Sequence, residues 1–172
     1  EATNVDKRDL VIEIGPGKGI LTEVLLSRAK KVLAVEKDYE LVGLLKEKFM
    51  KEITQDRLEL VLGDVMDFDT KKLSPYKVVA NIPYYITGKI LRHFLTTKNQ
   101  PESVTIMVQK EVAERIIARD GKESLLSISV KVYGKPKIIT RVSAGNFYPK
   151  PKVDSAILQI EKISKRFFKM IP

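Results

Sequence analysis

The sequence contains no cysteine and a single histidine, His93. Disulfides and thiolate metal sites are therefore excluded, and a histidine-built metal centre or triad has little to work with. No apolar run approaches the roughly 20 residues needed to span a bilayer. No secretory signal pattern is visible. The expectation from these absences is a protein of a reducing compartment, the cytoplasm, with no membrane partner.

What is present describes a packed, basic domain. Its 172 residues are 44% hydrophobic, and a chain of this size buries about two thirds of its unfolded surface. Lys and Arg number 31 against 22 Asp and Glu, a formal charge of +9. Such a field attracts polyanions and favours phosphate-backbone contact. A lysine-rich, thermally robust surface would show the same balance. No linker, repeat or low-complexity segment divides the chain.

Apolar runs alternate with helical spacing. Leu10–Ile14, Lys31–Val35, Leu58–Leu62, Val78–Ala80 and Ser103–Val108 read as short buried strands. Between them, Ile20–Arg28 carries Leu21, Val24 and Leu25 on one face. Asp38 is an N-cap for a helix to about Phe49, with Leu41, Leu44, Leu45 and Phe49 inward. Thr87 caps a helix bearing Ile90, Leu91, Phe94 and Leu95, and Lys110–Ala118 forms another. Strands separated by helices predict an α/β fold with a largely parallel, doubly wound sheet. Leu126, Ile128, Val130 and Val132 alternate like a strand, but Leu125, Ile128 and Val132 also fit a helix. Lys137–Ser143 and Ser155–Ile163 read as two more strands, and the basic, apolar Lys165–Lys169 closes the chain.

Open α/β sheets place ligands at the carboxyl ends of their strands, and four such ends carry ligand-type residues here. After the first strand, Gly15, Gly17 and Gly19 open a helix behind Glu13. Glycines allow a tight turn and close approach of backbone to ligand. A dinucleotide fingerprint reads G-x-G-x-x-G. The order G-x-G-x-G behind an acid fits S-adenosylmethionine better, since that cofactor has no phosphate and carries an amino acid on an adenosine. A purely structural turn is the competing reading.

Glu36 ends the second strand, with Lys37 beside it, where a carboxylate accepts ribose hydroxyls. Asp64, in Gly63-Asp64-Val65, is placed to accept the cofactor's adenine amine, with Val65 offering backbone groups to the ring edge. Asp67 and Asp69 follow, but three aspartates without a histidine or glutamate make a poor metal site, so no metal is expected.

Asn81-Ile82-Pro83-Tyr84-Tyr85 ends the fourth strand. An exocyclic amine is a weak nucleophile because its lone pair is delocalised into the ring. An Asn81 oxygen and a nearby backbone carbonyl can accept its two N–H bonds and aim the lone pair at a methyl donor. Tyr84 offers a stacking face, worth roughly 1–3 kcal/mol per base. Phe147, in the stiff loop Asn146-Phe147-Tyr148-Pro149-Lys150-Pro151-Lys152, is a second aromatic for an extruded adenine. Lys150 and Lys152 would face phosphates. An ordinary proline turn and a core phenylalanine are the plain alternatives.

These stretches, with Val108-Gln109-Lys110-Glu111-Val112-Ala113-Glu114-Arg115 and Phe147-Tyr148-Pro149-Lys150-Pro151-Lys152-Val153-Asp154-Ser155, resemble the KsgA-type ribosomal RNA adenine dimethyltransferases. The resemblance covers nearly the whole chain. It implies a Rossmann-like, mostly parallel sheet of the S-adenosylmethionine-dependent methyltransferase type, with an antiparallel strand near the C-terminus, and a helix over Ser124–Tyr133. It implies N6-dimethylation of two adjacent adenines in small-subunit ribosomal RNA by a monomeric enzyme of ribosome biogenesis. Glu13, Gly15, Gly17, Glu36, Lys37, Asp64, Val65 and Asn81 would line the cofactor pocket, and Asn81, Tyr84 and Phe147 would hold the base. Family members also carry an N-terminal Gln-x-Phe-Leu segment and a small helical C-terminal domain. Residues 1–172 are therefore expected to be the catalytic domain without them. An Erm-type enzyme acting on large-subunit RNA is the nearest alternative. A non-catalytic nucleic-acid binder on the same fold is the alternative of another kind.

Overall fold

The computed structural model describes residues 3–73, 75–118 and 121–167. Phe168 and Lys169 of the basic C-terminal stretch lie outside them. The chain divides into two compact units, the first ending at Ile82 and the second beginning at Pro83.

The first unit contains β1 (Leu10–Ile14), α1 (Ile20–Arg28), β2 (Lys31–Glu36), α2 (Tyr39–Lys48), α3 (Met50–Thr54), β3 (Leu58–Leu62) and β4 (Tyr76–Ala80). Its strands are parallel and ordered β3-β2-β1-β4. The register sets Ile14 level with Val35 and Ala80, and Glu36 level with Leu62, so the carboxyl ends share one edge. The order reverses between β1 and β4, which is where open α/β sheets hold their ligands. Ile12, Leu33 and Val78 on one face are as buried as Val11, Val32 and Val79 on the other. Burial on both faces explains why these strands read as unbroken apolar runs.

One face packs on α1 and α2. Leu25, Leu26, Ala29, Leu45 and Phe49 meet Val11, Val32, Ala34, Leu58 and Val79 in a single cluster. Burying each leucine contributes about 1.5–3 kcal/mol. The inward faces differ from those expected. In α1, Thr22 is buried and Val24 is 49% exposed; in α2, Val42 is buried and Leu44 is 56% exposed. Ile20, Leu21, Val24, Leu25 and Leu26 in α1, and Leu41, Val42, Leu44 and Leu45 in α2, offer more apolar positions than one face holds, so spacing does not single out one stripe. Asp38 caps α2 as expected, accepting from the N–H groups of Glu40 and Leu41 at 2.8 and 3.2 Å. Contrary to the simple alternation, the crossover from β3 to β4 has no helix among its described residues and is built of hydrogen-bonded turns.

The second unit contains α4 (Thr87–Thr96), β5 (Ser103–Gln109), α5 (Lys110–Ile117), α6 (Leu125–Lys131), β6 (Lys135–Val142) and β7 (Ser155–Glu161), with 3-10 turns at Tyr84–Ile86 and Ala144–Asn146. β7 lies between β5 and β6, antiparallel to both. The pairing of β6 shifts register between Ile138 and Thr140. Lys135, Lys137, Ile139, Thr140 and Arg141 of β6 are exposed. In α4 the expected face, Ile90, Leu91, Phe94 and Leu95, is buried. Thr87 is not its side-chain cap. Ile86 holds that position, and the Thr87 hydroxyl is buried without a hydrogen-bond partner among the described residues. The ambiguous segment after Gly121 is helical. Ser124 and Ser127 form a reciprocal capping box, with bonds of 3.2 and 2.7 Å, that starts α6.

Candidate active site

The glycine turn after β1 uses three left-handed residues, Gly15, Gly17 and Gly19, with φ of 64°, 57° and 78°. Side chains with a Cβ rarely take this conformation. Gly15 N–H donates to the Val35 carbonyl at 3.0 Å, which holds the turn against β2. A Cβ at Gly15 would touch the Ile82 side chain at 3.4 Å, whereas one at Gly17 would meet nothing within 4 Å. The turn therefore leans on the end of β4 and leaves open space at Gly17. Gly19, the N-cap of α1, lies under Phe49 and Leu45.

Glu13 is 1% exposed, on the β1 face that packs against α1. Neither of its carboxylate oxygens, nor the buried Thr22 hydroxyl, has a hydrogen-bond partner among the described residues. Burial pushes its pKa up to about 7; the nearby Thr22 hydroxyl tempers the rise and the charge of Glu36 adds to it. Unpartnered buried carboxylate oxygens are costly. Here they mark a place suited to a donor-rich or cationic group.

Glu36 is held differently. One oxygen accepts from Gly17 N–H at 3.2 Å, and the other accepts from Lys37 and Asp38 N–H at 2.8 and 3.2 Å. This buried acid braces the glycine turn as well as facing the strand ends. Lys37 extends from β2 to pair with Asp64 beyond β3 at 2.8 Å. Asp64 also accepts from Met66 N–H at 2.9 Å. The Val65 side chain is buried, and its carbonyl accepts from Phe68 N–H at 3.3 Å. Asn81, directly after β4, is exposed, while Ile82 is buried. The first unit thus brings Glu13, the glycines, Glu36, Lys37, Asp64, Val65 and Asn81 to one edge of one sheet.

Tyr84 and Phe147 belong to the second unit. Tyr84 is half-buried, and its hydroxyl lies 2.6 Å from Ser155 Oγ. Tyr85 is 87% exposed, so neither tyrosine is a core residue. Phe147 is half-buried and follows the Ala144–Asn146 turn, donating its N–H to the Ala144 carbonyl at 3.3 Å. No ring contact joins Phe147 to Tyr84 among the described residues. Lys150 and Lys152 are exposed. His93 lies half-buried on α4, edge-on to Phe94 with ring centroids 5.0 Å apart. The Tyr84–Ser155 pair is not legible in the sequence, because partners far apart in the chain leave no local periodic signal.

A glycine turn and acid-bearing strand ends at the switch point of a parallel sheet, with an antiparallel β7, define the Rossmann-like class of S-adenosylmethionine-dependent methyltransferase folds. Solved structures agree. The chain matches a dimethyladenosine transferase from Plasmodium falciparum with a TM-score of 0.85 and 32% identity, covering 99% of this chain and 61% of that one. It matches the 23S rRNA methyltransferase ErmE with a TM-score of 0.84 and 29% identity, covering 95% of this chain and 65% of that one.

The family model described as ribosomal RNA adenine dimethylase matches residues 1–170, and the chain belongs to that family. A ribosomal RNA small subunit methyltransferase A from Dehalococcoides mccartyi strain CBDB1 is 48% identical over 164 residues, 92% of this chain and 55% of that protein. The chain spans about half the length of this relative.

Proposed function

We propose that this chain is the methyl-transferring part of an enzyme that dimethylates N6 of two adjacent adenines in small-subunit ribosomal RNA, with S-adenosylmethionine as donor. Family membership and the small-subunit name of the Dehalococcoides relative support the substrate class. The observation that carries the reading is the cluster of carboxylates at one sheet edge. Glu13, Glu36 and Asp64 all lie at strand ends around a glycine turn. Such a cluster repels the pyrophosphate of a dinucleotide and attracts a cofactor bearing an ammonium and a sulfonium. The unpartnered oxygens of Glu13 fit that group.

In this reading Glu13 and the Gly15–Gly17 turn hold the methionine part. Glu36 faces the ribose, while Lys37, Asp64 and Val65 line the adenine end. When bound, S-adenosylmethionine supplies an electrophilic methyl group on its sulfonium. Asn81 accepts an N–H of the target amine and orients its lone pair; Tyr84 and Phe147 hold the extruded base. The amine would become cationic as the N–C bond forms and the methyl–sulfur bond breaks, leaving S-adenosylhomocysteine as a neutral thioether, and would then give its proton to solvent, so no strong base is needed at the outset.

The test is to incubate the full chain with radiolabelled S-adenosylmethionine and, separately, 30S particles and 23S RNA. Label recovered from 30S RNA as N6,N6-dimethyladenosine is the expected result. Label confined to 23S RNA would overturn the substrate assignment, and binding of the cofactor without transfer to either would overturn the activity.

A further inference from the structure

We propose that Asp154 and Ser155 are positioning residues that set the two aromatic side chains of the base site from one point on the sheet. The proposal rests on the reading of Tyr84 and Phe147 as base-holding groups. Both residues sit where the Phe147 loop enters β7. Ser155 is completely buried and is flanked in register by Gln109 of β5 and Val142 of β6. It therefore has a strand on each side and little freedom to move. Its hydroxyl lies 2.6 Å from the Tyr84 hydroxyl, across 71 residues of chain. Tyr84 itself stands in a single 3-10 turn without a side-chain cap. A ring on so short a turn can swing about its side-chain torsions unless its far end is tethered. Ser155 supplies the tether.

Asp154 acts on the other ring. Its carbonyl accepts from Lys110 N–H at 3.0 Å, fixing the strand entrance to the start of α5. Its carboxylate accepts from Ala144 N–H at 2.9 Å, at the first residue of the turn that leads into Phe147. A charged acceptor on a backbone N–H is a strong hydrogen bond. Adjacent residues thus clamp the Tyr84 ring and the Phe147 turn to the same rigid strand. Stacking on a base demands such a fixed separation, because small misplacements of positioning groups cost large factors in rate.

A double-mutant cycle tests the serine. In the full chain, Ser155→Ala and Tyr84→Phe should each lower kcat about tenfold, leave KM for S-adenosylmethionine unchanged, and lose no more when combined. Additive losses, or wild-type kcat in both single variants, overturn the tether. Tyr84→Ala separates this from the underlying reading. Wild-type transfer by that variant overturns the base-holding role and the proposal together. Loss in Tyr84→Ala with none in Tyr84→Phe or Ser155→Ala overturns the tether alone.

The aspartate has its own readout. The chain contains no tryptophan, so Phe147→Trp installs a single indole reporter. Adding Asp154→Ala should lower its fluorescence anisotropy, and an unchanged anisotropy overturns the role of Asp154.

Discussion

The backbone N–H of Gly17 donates to the Glu36 carboxylate at 3.2 Å, joining the glycine turn after β1 to the end of β2. The same carboxylate accepts from Lys37 and Asp38. Glu36 is therefore both a wall of the proposed ribose site and the brace of the turn beside it. Removing it should affect folding and binding together. We expect Glu36→Ala to cost about 1–3 kcal/mol of stability through the donors it strands. Cofactor affinity should fall at least tenfold by calorimetric titration. An unchanged dissociation constant would remove Glu36 from the pocket.

Glu13 predicts a pH dependence of stability. Its folded pKa is raised from 4.5 to about 7. Below the lower value the acid is neutral in folded and unfolded chains alike, and its full contribution to stability is present. As pH rises toward about 7 the unfolded chain ionises first, so stability falls; above that the loss is complete, on the order of 3 kcal/mol. Denaturant titrations at intervals between pH 4 and 8 should show this slope in the wild type and lose it in Glu13→Gln. A slope that survives the substitution assigns it to another group.

Gly19 has no room for a side chain. Its φ is 78°, and a Cβ would come within 2.6 Å of Phe49 and 2.8 Å of Leu45. Gly19→Ala should destabilise by roughly 1–3 kcal/mol from strain and overpacking. Combining it with Phe49→Leu should recover part of the packing loss, as expected of residues in contact. Strictly additive melting shifts would show that the two do not meet.

In the proposed reading Asn81 orients the target amine, and the residue lies exposed beyond β4. Asn81→Ala should abolish methyl transfer and leave most cofactor binding in place. Near-normal turnover in a single-turnover assay would sink this mechanism.

Much of this is legible in the sequence. Parallel strands buried on both faces read as unbroken apolar runs, and their ends were marked by Gly15, Glu36, Asp64 and Asn81. Asp38 announced a helix start by its chemistry. Where a helix carries more apolar residues than one face holds, spacing alone does not choose the face. Leu21, Val24, Leu25 and Leu26 offered several possible stripes, and the sheet selected the one containing Thr22. The α6 segment satisfied both periods, and the serine pair at 124 and 127, rather than its apolar residues, decides for helix. Ser155 could not be paired with Tyr84 from sequence, because strand register over a long separation leaves no local trace.

One consequence of β6 concerns behaviour in concentrated solution. Among the described residues that strand pairs only with β7, and a strand flank without a partner is a template on which another molecule's strand can add. The register shifts between Ile138 and Thr140, and exposed charged side chains stand along the strand: Lys135, and Lys137 and Arg141 in ion pairs with Glu161 and Glu114 at 2.9 Å. Two copies approaching flank to flank would meet mismatched hydrogen-bonding groups and would have to desolvate these charged side chains. Addition of a second copy's strand along β6 is thus opposed by the break in that strand's own register.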